Sequence, residues 1–349
     1  MSADLLPLPP QPAGVPWPSH GFDGWPLGPV GPGVEGLVSE LFDDPGRFGD
    51  TYAVVVVQGG RLRFERYGGA LPSFDHEPTP VEPATPLLSW SMAKSMTHAI
   101  AGPLVADGLL DLDAPAPVPA WADDDRAAIT LQHLLEMRSG LDWREDYADA
   151  GASDVIEMLF GAGRSDTAGF AAGRPLAAEP GSTFVYSSGS TNIVSRVLGG
   201  VADVRALLSD RLLGAIGIAA PDVRFDDAGT FLGSSFVYLP ARDFARFGLL
   251  YLRDGEWDGA RILPEGWVDH GRRLRSIDPT DGSGYGAHWW VEHDPWGTFR
   301  AQGYEGQSIL VCPAKDAVVV RLGRTVEAQK PALVDWRRRI IEALERRCP

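Results

Sequence analysis

The stretch Thr51–Gln58, TYAVVVVQ, is an unbroken β-rich apolar run, and it constrains the fold more than any other segment. Valine is stiff at χ1 and favours strands. A strand without polar alternation belongs in a sheet covered on both faces. Gly59-Gly60 follows, and then Arg61–Gly68, RLRFERYG. Two such runs around Gly-Gly predict a hairpin with a tight turn. Strand signals return only late in the chain, at Tyr285–His293, Gly297–Gly303, Gln307–Pro313 and Ala317–Gly323, with Ala314-Lys315-Asp316 turning between the last two. Helical patterns fill the middle, at Ile129–Gly140, Thr191–Leu213 and Ala241–Gly255. Val34–Asp43 and Pro331–Arg347 read as terminal helices, the second with a proline suited to its first turn.

The layout expected is therefore α+β. One antiparallel sheet is built from both chain ends, flanked by the terminal helices, with an all-helical region inserted. The divisions fall at 1–33, at 34–84 plus 283–349, and at 85–282, together forming one catalytic unit. Nine prolines in the first 32 residues mark an extended tail or a segment laid over the body.

A formal net charge of −16 argues against nucleic acid or an anionic membrane as partner and favours action on small molecules. No apolar run is long enough to cross a membrane, and the first residues lack the basic and apolar regions of a signal peptide, so cytoplasmic residence is expected. Cys312 and Cys348 have no paired spacing and no histidine motif nearby, so neither a metal nor another cofactor is expected.

Of 31 basic residues only three are lysines, and one stands in Ser91-Met92-Ala93-Lys94. Arginine stays protonated in proteins, whereas a buried lysine amine can lose its proton and act as a base. Residues i and i+3 share a helix face, so the Ser91 hydroxyl and the Lys94 amine can meet as a nucleophile and its general base. Ser91 falls near a helix start, where free amide hydrogens favour developing negative charge. Gly102 and Pro103 predict a kink or restart in that helix. His98 lies seven residues after Ser91 on its helical face, where it either supports Lys94 or packs in the core.

With these residues in place the chain resembles the penicillin-recognising serine hydrolases, which include class C β-lactamases, D,D-peptidases, related esterases and the 6-aminohexanoate-dimer (nylon oligomer) hydrolases. The stretches Asp107–Pro115, Ile129–Trp143, Pro180–Gly199 and Pro240–Val268 resemble family segments in order and spacing. The resemblance implies the β-lactamase/D,D-peptidase fold, and a tyrosine motif at Tyr186-Ser187-Ser188 in which Tyr186 shares proton transfer with Lys94. Ser188 stands where class C β-lactamases carry asparagine, as in the nylon oligomer branch. The third motif falls on Ala301-Gln302-Gly303, where β-lactamases have Lys-Thr-Gly. Ala301 leaves no cation there for a β-lactam carboxylate. Gly303 permits close backbone approach, so the Tyr304 amide can pair with the Ser91 amide as an oxyanion hole.

Weaker candidates remain, the first of them from the resemblance. Glu145-Asp146-Tyr147 resembles a loop whose tyrosine touches the amide substrate in nylon oligomer enzymes. Tyr285, His288, Trp289 and Trp290 either line an acyl pocket or pack in the core. The expected activity is cleavage of a small ester or amide through an acyl-enzyme on Ser91. The alternatives are β-lactamase or D,D-peptidase action, or a non-catalytic ligand-binding member of the fold.

Overall fold

The computed structural model describes residues 5–345 apart from 20, 22–23, 73–76, 148–150 and 152; Cys348 lies outside them. Its frame is one eight-stranded antiparallel sheet. In chain order the strands are β1 (Asp50–Gln58), β2 (Arg61–Tyr67), β3 (Ser276–Ile277), β4 (Gly284–Tyr285), β5 (Trp290–Val291), β6 (Phe299–Gly303), β7 (Gln307–Cys312) and β8 (Ala317–Arg324). Across the sheet they run β3-β4-β5-β6-β7-β8-β1-β2, so the last strand lies against the first and places Val56 opposite Val319. Gly59 and Gly60 turn the first hairpin at φ 60° and 69°. Two consecutive left-handed residues match the twist of a two-residue hairpin, and glycine adopts them without a Cβ penalty.

Five helices matter here: α1 (Val34–Asp43), α2 (Ala93–Ala106), α3 (Ser188–Val201), α4 (Ala241–Leu252) and α5 (Lys330–Ala343). The apolar run of β1 feeds two cores. Val54 and Val56 pack with Val38 and Leu41 of α1 and with Trp336 and Ile340 of α5. Ala53, Val55 and Val57 face a larger core shared with α2 and α4. Burial of each valine contributes about 1.5–3 kcal/mol, which explains why this strand has no polar face. Helix α4 approaches the sheet closely: a Cβ on Gly248 would lie 2.6 Å from Val318 Cγ1 and 2.7 Å from Ile309 Cγ2.

Several expectations need correction. Helix α2 does not restart at Gly102-Pro103 but runs unbroken from Ala93 to Ala106. The glycine serves packing, because a Cβ there would meet the Trp267 indole at 2.7 Å. The Tyr285–His293 run is two short strands, since His288 takes φ 56° and breaks the alternation. The inserted region is not all helical. Leu87–Leu88, Val237–Leu239 and Asp222–Val223 form a small three-stranded sheet within it. Strand β3 joins the main sheet ahead of residue 283.

The proline-rich start lies over the body. Proline supplies carbonyls but no amide hydrogens, so such a segment needs donors from elsewhere. Arginines give them. Arg272 Nη2 donates to Leu6 O at 2.6 Å, Arg253 Nη1 to Pro9 O at 3.3 Å, and Arg246 to Pro18 O at 3.1 Å and Ser19 O at 2.8 Å. The amide of Leu62 also donates to Pro26 O at 2.9 Å, which covers the outer edge of β2. Among the described residues no helix is long and apolar enough to cross a membrane.

Removing residues 1–19 takes these carbonyls from three arginines whose side chains are nearly fully buried. Hydrogen bonds to charged groups contribute about 1.5–3 kcal/mol each. Urea unfolding of the truncated chain should therefore show a stability loss of about 3 kcal/mol or more. An unchanged unfolding curve would mean the strap contributes nothing.

Candidate active site

Ser91 sits in a one-turn 3₁₀ segment, Trp90–Met92, that runs directly into α2. Trp90 before it takes φ 45°, a left-handed conformation costly for a bulky residue. The turn is tied down by Ser89. Its amide donates to Val237 O at 2.8 Å, its hydroxyl donates to Ser235 O at 3.1 Å, and the Val237 amide donates to the Ser89 hydroxyl at 3.2 Å. Strand β6 then passes against the same turn. A Cβ on Gly303 would lie 2.5 Å from Ser89 O and 3.2 Å from Trp90 Cβ, so only glycine fits. This close approach brings Tyr304 to the cleft beside Ser91, with its ring edge-on to Trp90 at 5.7 Å.

Lys94 lies one turn into α2 and is 1% exposed. Its Nζ has three oxygen neighbours: Ser91 Oγ at 3.0 Å, Ser188 Oγ at 2.9 Å and Ser234 O at 3.0 Å. It also stands 4.9 Å from the centroid of the Tyr186 ring. Burial disfavours the ammonium and pushes the amine down to about 8, against the opposing charge of Glu145. Tyr186 moves the other way. Burial, and then the Glu145 charge, raise its hydroxyl well above the usual phenol range, while a hydrogen bond to Ser91 works against them. At neutral pH Tyr186 is a neutral phenol, and Lys94 is the group poised to exchange a proton.

Glu145 is the organising residue of a loop in which motif reading gave a role only to Tyr147. Its carboxylate accepts from Trp143 Nε1 at 2.6 Å, Ser188 N at 2.9 Å, Ser188 Oγ at 2.5 Å and Tyr147 Oη at 2.5 Å. Ser188 opens α3, with Ser187 as its N-cap, so its amide is free to donate. The Ser188 hydroxyl accepts from Lys94 and donates to Glu145, which orients it. Tyr147, half-buried beside the same carboxylate, packs with its ring tilted 32° to that of Tyr304 at 4.6 Å and also reaches Ser91. The sequence signal for this loop was the resemblance of Glu145-Asp146-Tyr147 to a family segment, which pointed to the tyrosine and not to the carboxylate.

The structure thus brings together Ser91, Lys94, Tyr186, Ser188, Tyr147, Gly303 and Tyr304. Trp289 does not join them. It is fully buried in the core against Phe247, Tyr251 and Phe299. The cleft tryptophan is Trp290, 5.3 Å from the Tyr186 ring. The left-handed turn at His288 decides which of two adjacent tryptophans faces the site. Ala301 is also buried, so the strand offers no cation there.

Two cavities meet at Ser91. A pocket of about 200 Å³ is walled mainly by Trp90, Val155, Ile156, Leu159 and Phe160. A groove of about 710 Å³ opens on the other side along Trp290, Gln302 and α5.

His98 packs away from Lys94, in a wire of hydrogen bonds to Tyr251 (2.8 Å) and His270 (3.1 Å), and on from His270 to Gln132 (2.9 Å). Gln132 donates through Nε2 to Glu136 at 2.5 Å, so its oxygen faces His270. That fixes every proton: His270 donates from Nε2 and accepts at Nδ1, and His98 donates from Nε2 and accepts Tyr251 at Nδ1.

Comparisons with known proteins show the family. The beta-lactamase family model matches residues 35–344. The chain belongs to the beta-lactamase family. A 6-aminohexanoate-dimer hydrolase from Paenarthrobacter ureafaciens is 27% identical over 316 residues, covering 83% of this chain and 77% of that protein. A solved Bacillus anthracis protein, provisionally named for the same activity, superposes with a TM-score of 0.73 at 24% identity, covering 98% of this chain and 90% of its own. A family VIII carboxylesterase superposes with a TM-score of 0.65 at 14% identity, over 90% and 99% of the two chains. The protein is a serine hydrolase of the beta-lactamase family.

The buried histidines set an acid limit on this scaffold. Burial holds His270 down at about 4 and His288 at about 3, and keeps His98 well below its usual range. Their folded-state values lie below the unfolded ~6.5. The unfolded chain therefore takes up protons first as pH falls. The contribution of these histidines to stability should be complete above about pH 6.5 and be lost progressively toward pH 4 and below. The replacement His270→Gln should flatten that decline in unfolding titrations; an unaltered slope would remove His270 from the account.

Proposed function

We propose that the protein hydrolyses a small ester or amide through an acyl-enzyme on Ser91. The observation that carries this reading is the dry Lys94 amine 3.0 Å from the Ser91 hydroxyl, lowered to about 8. In its neutral form Lys94 takes the Ser91 proton as Oγ bonds to the substrate carbonyl. The resulting oxyanion is held by the backbone amides of Ser91 and Tyr304, which would supply a stabilisation of about 3 kcal/mol per donor. As the bond to the leaving group breaks, Tyr186 gives its proton to the departing oxygen or nitrogen and is resupplied by Lys94. Water then attacks the acyl-enzyme, with the same groups working in reverse.

The small pocket beside Ser91 supports an apolar acyl group, because nearly all its wall is aliphatic or aromatic. The relatives named for 6-aminohexanoate-dimer and carboxylester hydrolysis support the ester and amide reading. Ala301 supplies no cation where the lactamases of this family carry lysine. A cephalosporin should therefore be the poorest of three substrates when compared with a chromogenic butanoate ester and a linear amide. Turnover that persists in Ser91→Ala would sink the proposal.

The pH profile tests the base. kcat/KM should drop about tenfold per pH unit below about 8, because only neutral Lys94 works. The Glu145 charge raises the lysine, so Glu145→Gln should move that acid limb to lower pH. Lys94→Arg preserves bulk but removes the base, and should cost at least about a hundredfold at every pH. An acid limb that Glu145→Gln leaves in place would detach Glu145 from the lysine.

A further inference from the structure

A buried cation lies beneath the turn that carries the Tyr304 amide. Arg321 of β8 is fully buried and pairs across the sheet with Val54 and Ser308, so it shares the face that α1 and α5 cover. Among the described residues its acceptors are all neutral oxygens. Nη1 donates to Glu305 O at 3.2 Å and Gly306 O at 3.4 Å. Nη2 donates to Phe48 O at 3.4 Å, Asp50 O at 3.2 Å and Thr51 Oγ1 at 3.1 Å. Burial pushes the guanidinium down to about 10, while Tyr52 and the charges of Asp50 and Glu305 work against that from further off.

Packing alone does not call for an arginine here. The same face of the sheet is filled by Val54, Val56, Leu310 and Val319, and an apolar side chain at position 321 would continue that core. A buried guanidinium without a carboxylate is unfavourable by comparison. The surroundings nevertheless make room for it. Gly323 lies two residues on, on the same face, and a Cβ there would stand 2.7 Å from Arg321 Cζ and Nη2. The reason for the cation therefore lies in what it holds.

It holds the three-residue turn Tyr304–Gly306 between β6 and β7. Glu305 takes φ 60° and ψ 27°, and Gly306 follows at φ 81°. The left-handed conformation costs free energy for glutamate, so the turn needs an outside constraint. The two carbonyls of these residues are the ones that Arg321 Nη1 takes, and the Thr325 amide adds a further donor to Glu305 O at 2.9 Å. A fixed carbonyl fixes the plane of its peptide. Gly303, on the other side, is seated on Ser89 O. Tyr304 lies between these two anchors, so its amide has little freedom to swing. The far end of the fork grips Phe48, Asp50 and Thr51 at the entry to β1, and Thr325 Oγ1 donates to the same Phe48 O at 2.6 Å.

We propose that Arg321 is a positioning residue for the oxyanion hole: it ties the Glu305 and Gly306 carbonyls to the entry of β1 and so keeps the Tyr304 amide in register with the Ser91 amide. This rests on the acyl-enzyme reading and adds to it a residue that lines neither cavity. Oxyanion stabilisation works through donors fixed before the charge develops, and a misplacement of about 1 Å costs on the order of a hundredfold in rate. The loss on loosening Arg321 should therefore fall on the charge of the tetrahedral intermediate.

The test compares a butanoate ester with its thiono analogue, in which sulfur replaces the carbonyl oxygen. Sulfur accepts only weakly from N–H donors, so the oxo-to-thiono ratio of kcat/KM reads the hole itself. Arg321→Lys keeps a charge but offers one point donor that cannot span both ends of the clamp. Thr51→Val leaves the arginine and removes one acceptor from its fork. In Arg321→Lys the oxo-to-thiono ratio should fall about tenfold, while the acid limb near pH 8 stays in place. Thr51→Val should lower the ratio about two- to threefold, and it decides the matter alone where Arg321→Lys does not fold. A loss shared equally by the two esters, with the ratio of the folded variants unchanged, would overturn the proposal and leave Arg321 a stability residue. Neutral esters turned over by wild type but not by Ser91→Ala keep the hydrolase reading separate from this outcome.

Discussion

A lysine amine kept dry is the constraint on which the rest of this structure depends. Lowering Lys94 from its ordinary 10.5 to about 8 corresponds to roughly 3 kcal/mol against its charged form, and the fold has to supply that. It does so by surrounding Nζ with neutral oxygens: two hydroxyls and the Ser234 carbonyl. No carboxylate touches the amine directly. Glu145 is one hydroxyl removed, behind Ser188, so its charge moderates the lysine without pairing it. A direct ion pair would hold the lysine protonated, and its loss would leave the amine still lower. The interposed serine sets an intermediate value.

The second constraint is geometric. Ser91 has to be presented to the cavities at the end of a buried helix although it is itself only 8% exposed. The solution is a left-handed Trp90, a turn fastened by Ser89, and a strand that comes within van der Waals distance at Gly303. Glu305 and His288, also left-handed, then redirect the chain on either side of the cleft. Non-glycine residues in this conformation cost free energy, and their clustering here is where a functional site would be expected to hold strain.

The sheet was legible because its signals are local. β1 is apolar without interruption, and Gly59-Gly60 can do little but turn it. The Ser91, Lys94 and Tyr186 positions were legible because helical spacing and motif order carry them. What escaped was long-range. Whether Trp289 or Trp290 faces the cleft depends on one backbone torsion at His288, which no periodicity reveals. Glu145 stood in the sequence only as a neighbour of Tyr147, and tertiary packing alone shows that its carboxylate collects four donors. The short strands inside the helical region are two or three residues long, below any pattern length. Gly102-Pro103 looked like a helix break, but packing of Trp267 on the glycine overrides local propensity.

The scarcity of lysine now has a physical reading. Arginine does the holding in this protein: it straps the proline-rich start through carbonyls at Arg246, Arg253 and Arg272, and lines the groove at Arg300 and Arg337. Those tasks need a fixed fork of donors that never loses its charge. The three lysines divide differently. Lys330 lies at the groove rim in an ion pair with Glu327, so Lys94 is not the sole lysine of the cleft. Lys315 caps carbonyls at the end of α5. Only Lys94 is placed where losing a proton is useful. A guanidinium there would pin Ser91 with a permanent charge. Lys94 and the arginines cannot exchange roles, because the lysine has to let go of its proton and the guanidinium groups have to keep theirs.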